Sequence, residues 1–355
     1  MNPVIVWYRR DLRAYDHLPL HHAIQTGQPI LPVFIFDPAV LDSKRISPAR
    51  LKFMLNGLSA LRDDLQKMGG DLYLAHGNPA DILADLVDKT GATDLFYGID
   101  YTPYARKRDE AITHSLNITI HPLHDRLLVP PSAVAKSDGT PYTVFTPFMK
   151  QWRTIEKLAC VDITPNHFFD IGQLSSKPIP SLSDLGFVET DVPIPPATSA
   201  YAHDLLNEFM THRIHVYAQN RDQLGNAEAH PKTQTSFLSP YIRFGLISLR
   251  HIYWDARLAH QNTSSVPAQN SITKFVDEIV WHEFYTHILW HFPQVKTHNF
   301  NPKFDAMAWQ YDHDHFTAWC EGRTGYPIVD AAMRQLVKTG WMHNRARMIV
   351  ASFLT

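Results

Sequence analysis

Two cysteines, Cys160 and Cys320, are all that 355 residues contain, too few for a disulfide framework or a thiolate metal site. No apolar run is long enough to span a bilayer. The amino terminus, MNPVIVWYRRDLR, meets charge after a short apolar run, so it reads as a first strand and not as a secretory signal. An excess of one charge is missing too: 33 Lys and Arg face 35 Asp and Glu, net −2. A nucleic-acid site must therefore be a local basic patch. Neither G-x-G-x-x-G nor G-x-x-x-x-G-K-[ST] follows the first strand, which weakens a dinucleotide or P-loop reading. HEFYTH at 282–287 spaces its histidines i, i+5, one step wider than the i, i+4 pair that one helix face can offer a zinc ion. The other histidines form no ligand-like cluster, so no metal is expected. A soluble, cytoplasmic protein is the expectation, and a monomer is expected too.

What is present is a chain long enough for two domains, with eight Trp and 25 Pro. Its first part alternates strand and helix signals. Val4–Tyr8, Ile30–Phe36, Asp71–Ala75, Asp94–Tyr97 and Ile118–Leu123 are short apolar or β-branched runs. Between them, Ser47–Pro48 opens a helix as cap and first-turn proline. Leu51, Met54, Leu55, Leu58, Leu61 and Leu65 then make one face of it. Asn78–Lys89 and Pro103–Leu116 are further helices. This alternation predicts an α/β fold, a doubly wound parallel sheet over residues 1–130. Residues 131–200 are broken by prolines and read as a linker with a short helix near Thr146–Leu158. From 201 to 355 the strand signal is gone and an all-α domain is expected.

The charges Arg9, Arg10, Asp11 and Arg13 follow the first strand and could face a ligand crevice at its carboxyl end; a solvated loop with internal ion pairs fits them as well. Thr235, Ser236, Phe237, Leu238 and Ser239 offer three hydroxyls ahead of a helix, an arrangement that suits either phosphate oxygens or simple capping. Glu278, Trp281 and Tyr285 share a helix face, where a carboxylate and an indole could bond and stack on a base; an amphipathic helix with an ion pair is the alternative. Pro327 starts a later helix and Gly340 ends it. A last helix is expected to begin near Trp341, with Trp341, Asn344, Arg345 and Met348 on one face at i, i+3, i+4 and i+7.

Four segments carry a more specific signal: VWYRRDLRAYDHLPL (6–20), TSFLSPYIRFG (235–245), DEIVWHEFY (277–285), and GYPIVDAAMRQL with WMHNRARM (325–348). Together they resemble the DNA photolyase/cryptochrome family, in the family's order and over nearly the whole chain. The resemblance implies an antenna-binding α/β domain and a helical FAD-binding domain. It implies light-dependent repair of cyclobutane pyrimidine dimers in DNA, by electron donation from reduced FAD to a flipped-out dimer. By the same resemblance, Tyr217, Thr235, Ser236, Phe237, Leu238, Ser239 and Phe275 hold FAD. Glu278, Trp281, Asn344 and Met348 line the dimer cavity, while Arg221 and Arg345 touch the DNA backbone. Trp309 is the outer member of an electron-transfer chain. Arg243 and Arg347 are further cations near the cavity, Arg347 being expected to lack its acidic partner. The antenna could be methenyl-folate, deazaflavin or flavin, or there could be none. Two departures stand out. The loop from Gln223 to Gln234 is longer than the family's and lacks a glycine directly before Thr235. The family's inner tryptophans would fall beyond Thr355, so the flavin domain is expected to be incomplete. A cryptochrome-like light receptor and an inactive fragment are the alternative readings.

Overall fold

Strand β1 (Val4–Tyr8) is buried along its whole length and forms the centre of a five-stranded sheet. The computed structural model describes residues 1–42, 46–164, 167–224 and 235–355. With β2 (Ile30–Phe36), β3 (Tyr73–His76), β4 (Asp94–Gly98) and β5 (Thr119–Leu123), the order is β3-β2-β1-β4-β5, and all four pairings are parallel. Parallel neighbours need crossovers, supplied here by helices on both faces. Side chains alternate accordingly. Ile5, Trp7, Leu31 and Val33 pack on one face with Leu83, Leu86 and Ile112, from α3 (Pro79–Thr90) and α4 (Pro103–Ser115). Val4, Val6, Tyr8 and Phe34 point the other way, toward α1 (Leu18–Gln25) and α2 (Pro48–Lys67). The helix starts follow the expected chemistry: Ser47, Asn78 and Thr102 each accept a backbone N–H of the first turn, and each helix has proline at its start.

The described residues of 124–198 hold little regular structure beyond α5 (Phe145–Thr154) and short 3₁₀ turns. The chain then turns helical: α6 (Ser199–Thr211), α7 (Tyr217–Asn220), α8 (Ser239–Phe244), α9 (Leu249–Gln261), α10 (Val266–His291), α11 (His313–Glu321), α12 (Pro327–Thr339) and α13 (Asn344–Leu354). No helix among the described residues is long and apolar enough to cross a membrane.

The sheet region and the helical region share one core. Phe53 of α2 lies 5.3 Å from the ring of Tyr241 in α8, and the apolar cluster that starts on β1 continues to Leu205, Phe209, Ile252 and Val280. Gly245 ends α8 at φ +67°, and a side chain there would meet the Arg10 carbonyl at 2.4 Å; only glycine allows this approach. Beside it, Leu12 N–H donates to the Phe244 carbonyl at 3.0 Å.

The charges after β1 form internal ion pairs, as one reading had it, but Arg9 and Arg13 are buried and not part of a solvated loop. Arg9 is wedged between Trp7 and Tyr97, 4.6 Å from each ring, and bonds Asp109 at 2.7 Å. Arg13 is 2% exposed. It donates from Nε and Nη2 to the Asp16 carbonyl, from Nη1 to the Gly245 carbonyl and from Nη2 to Asp125 at 2.6 Å. Arg250 of α9 meets it from the helical side, bonding Asp16 at 3.0 Å and Asp125 at 2.8 Å. Burial works against Arg13, but Asp125 and Asp16 outweigh it and hold the guanidinium above its usual range.

The expected start of the last helix is corrected. Trp341 lies outside α13, which begins at Asn344 because His343 caps it: His343 Nδ1 accepts the Arg345 N–H at 3.1 Å. Gly340 closes α12 as expected, at φ +68°.

Candidate functional site

Helix α10 carries two unlike faces. Its inner face holds Glu283 and His287, 2% and 1% exposed. Glu283 accepts from the backbone N–H groups of Leu128 and Val129, and from the Trp152 indole at 2.5 Å. It thereby ties α10 to the extended segment and to α5. Burial pushes its carboxyl up to about 7, against those three donors and Lys157. Lys157, 3.7 Å over the Trp152 ring, is lowered to about 8, chiefly by burial. Arg153 adds a second tie, to Asp277 at 2.6 Å.

The other face carries Glu278 and Trp281, both half-buried, and Tyr285, 65% exposed. Phe145 of α5 lies flat on Trp281, with centroids 3.5 Å apart and planes 3° apart. Trp281 is therefore a fixed ring, backed on one face by Phe145. One turn earlier, Glu278 accepts a bond from Arg221 Nη1. Burial lowers the Arg221 guanidinium, but its bond to Glu278 and the nearby Tyr217 raise it further, above its ordinary value. The charges continue outward: Arg221 Nε is 3.5 Å from Asp222, and Asp222 accepts from Arg345 Nη2 at 2.7 Å. Arg345 Nη1 contacts Met348 Sδ at 3.4 Å. One ionic chain thus runs from α10 to α13 and gathers four expected residues, Glu278, Arg221, Arg345 and Met348. Asn344 opens α13 and is exposed. Arg345, Met348, Tyr326, Val329, Ile349 and Phe353 line an open groove of about 520 Å³.

The hydroxyl segment lies alongside. Phe237 sits in the left-handed region at φ +57° and stacks on Trp341, 4.4 Å between centroids, so the segment meets the turn before α13. Leu238 is 1% exposed. Ser236 Oγ accepts the Leu238 N–H at 3.5 Å. Tyr217 and Phe275 meet edge to face at 5.4 Å. Burial, then the Glu278 carboxylate, push the Tyr217 phenol up.

Of three further residues singled out in the sequence, only Arg243 lies elsewhere than expected. Trp309, 44% exposed in a segment without regular structure, makes no ring contact with another aromatic among the described residues. Arg347 donates to the Met342 carbonyl at 3.1 Å and has no carboxylate partner among those residues. Arg243 belongs to a different group, at the carboxyl edge of the sheet. Arg10 donates to its carbonyl at 3.4 Å, and Arg10 and Arg126 share Asp100 at 3.2 and 3.5 Å. Arg243 is lowered to about 10 by burial and by Arg126. His282, exposed at its surface, lines the crevice beside Arg126. Its HEFYTH partner, His287, points instead toward the Pro131 carbonyl, 3.3 Å away. The part of the long loop at 225–234 lies outside the described residues.

Asp11, His17 and Asp125 lie within 4.8 Å of one another, a grouping the sequence did not suggest. Their lone pairs are committed: His17 Nδ1 caps α1 by accepting the Leu20 N–H, its Nε2 meets Asp11 at 2.9 Å, and Asp125 bonds Arg13 and Arg250. Phe145 and Arg213 were also missed, since no motif or periodicity marks them, and Glu283 was given no role although it lies inside DEIVWHEFY.

Residues 4–166 match the family DNA photolyase, and residues 275–355 match the FAD binding domain of DNA photolyase. The chain is 36% identical over 364 residues to a deoxyribodipyrimidine photo-lyase of Synechococcus sp., covering 99% of this chain and 74% of that protein. A bacterial class III photolyase from Agrobacterium tumefaciens superposes with a TM-score of 0.86 at 35% identity, over 100% of this chain and 72% of that one. A Synechocystis sp. cryptochrome superposes with a TM-score of 0.86 at 26% identity, over 99% and 74%.

Proposed function

This chain belongs to the DNA photolyase family, and from that premise we propose that it is a deoxyribodipyrimidine photo-lyase, repairing cyclobutane pyrimidine dimers in DNA under light. The observation that carries the residue assignment is the pairing of the fixed Trp281 ring with the Glu278 carboxylate one turn away, at the head of the ionic chain to Arg345 and Met348. A base turned out of the duplex needs a stacking surface and a hydrogen-bonding edge. Trp281, backed by Phe145, offers the first. Glu278 offers the second: with an Arg221 N–H already directed at it, its remaining lone pairs accept from a pyrimidine N–H. Arg345 and Arg221 hold the adjoining phosphates, Arg345 being 37% exposed on its side chain. Asn344 and Met348 close the cavity from α13.

The residues of the flavin segment fit FAD. The side-chain hydroxyls of Thr235 and Ser239 have no partner among the described residues, while Leu238 and Phe275 are packed in the core behind them. Thr235, Ser236, Phe237 and Ser239 would meet the diphosphate, with Tyr217, Leu238 and Phe275 supporting that wall. When bound and reduced, FAD supplies the light-driven electron for the repair chemistry. Arg10, Arg126 and Arg243 gather near Asp100, cations that an anionic second chromophore such as methenyl-folate or deazaflavin would need. Residues 1–130 would then serve the antenna, 131–200 link, and 201–355 hold flavin and DNA. A monomer in the cytoplasm belongs to the same reading.

The test mixes the FAD-loaded protein with a dimer-containing oligonucleotide in light and in dark. Light-dependent loss of dimer is expected; its absence favours a receptor that does not repair. Trp281→Ala should weaken dimer binding by about tenfold to a hundredfold, the worth of one base–aromatic stack, without changing flavin content.

A further inference from the structure

Arg213 opens the 3₁₀ turn Arg213–Val216 that leads into α7. Its side chain is 12% exposed. Nη1 donates to the Thr235 carbonyl at 3.1 Å, which fixes the guanidinium at the first residue of the hydroxyl segment. Nε and Nη2 are buried and have no hydrogen-bond partner among the described residues. The nearest carboxylate, Glu208, stands 3.6 Å from Nη2, beyond hydrogen-bond range, and is itself 54% exposed. Burial lowers the guanidinium below its ordinary value, and Glu208 offsets this only in part.

A buried donor left unmade costs about 1–3 kcal/mol, and chains seldom leave two on one side chain without a use. The unpartnered edge of this fork carries two coplanar N–H groups, the geometry that suits two oxygens of one phosphate. Beside it, the side-chain hydroxyls of Thr235 and Ser239 are also without partners among the described residues. We propose that Arg213 binds a phosphate of the flavin diphosphate, supplying from α7's entrance a cation that the hydroxyl segment itself lacks. This rests on reading residues 235–239 as the flavin site.

Equilibrium binding to flavin-free protein tests it, by quenching of flavin fluorescence, with FAD and with riboflavin, which has the ring system but no phosphate. Arg213→Gln should weaken FAD roughly tenfold to a hundredfold and leave riboflavin unchanged. Arg213→Lys should recover part of the loss as a point charge. Near-ultraviolet circular dichroism and thermal melting of the flavin-free variants should match the wild type. FAD affinity within twofold of wild type, or equal losses for FAD and riboflavin, would overturn the proposal. Wild-type protein that binds no FAD would instead overturn the flavin reading beneath it.

Discussion

Arg13 and Arg213 are both buried guanidinium groups, and they differ in how fully they are used. Arg13 has its Nε, Nη1 and Nη2 all engaged, on two carbonyls and Asp125, with Arg250 completing the group. Arg213 has one bond and two idle nitrogens. The first pattern belongs to a joint between two regions: every donor meets an acceptor because burial penalises any that does not. The second belongs to a surface built for something that arrives later. The same contrast separates the two faces of α10, with Glu283 closed by three N–H donors and Trp281 held flat but half-buried. The extent of hydrogen bonding is what sets Arg13 apart from Arg213, since both guanidinium groups are largely buried.

The comparison is sharpest at Asp125. Asp125→Ala leaves Arg13 and Arg250 buried without their shared carboxylate, and should cost about 3–5 kcal/mol of unfolding free energy in urea titration. A loss below about 1 kcal/mol would show that the joint tolerates idle donors as Arg213 does. Glu283 gives a smaller effect with a defined sign. Its carboxyl sits at about 7 in the fold, above the ordinary 4.5, so the folded state holds the proton more tightly. Stability from this group is full below about 4.5 and is lost as pH rises through about 7. Relative to Glu283→Gln, the wild type should therefore lose stability across that window, read as a falling urea midpoint; a flat difference would refute it. Smallest of all, Asp222→Ala interrupts the half-exposed ionic chain and should cost less than about 1 kcal/mol, a loss that added salt diminishes further.

Much of the sheet was legible because its signal is local. Val4–Tyr8 and Ile30–Phe36 are strands to the residue, since runs buried on both faces must be apolar throughout. Ser47 announced its helix through a side chain that caps within three residues. Helix α1 was not legible: His17, an unusual cap, starts it, and His21 and His22 blur its short apolar stripe. For the same reason a histidine cap moved the start of α13 past Trp341. Glu278, Trp281, Arg345 and Met348 could be named because a motif carries them, but their linkage through Arg221 and Asp222 spans more than a hundred residues of sequence and leaves no periodic trace. Arg243 went to the wrong cavity because its composition says cation and only the fold says where. Phe145 and Arg213 act through partners 136 and 22 residues away in sequence, Trp281 and Thr235, which no spacing rule reaches.

The shared core has a consequence for how the molecule comes apart. Phe53 packs on Tyr241, and Gly245 admits the backbone of Arg10 and Asp11, so the sheet has no independent apolar surface on that side to retreat to. A protease that nicks the extended segment between residues 124 and 198 should leave two fragments that stay associated and melt in a single transition. Hydrogen exchange at β1 and at α9 should then report the same global opening, and the halves should behave as one cooperative unit despite their different secondary structure.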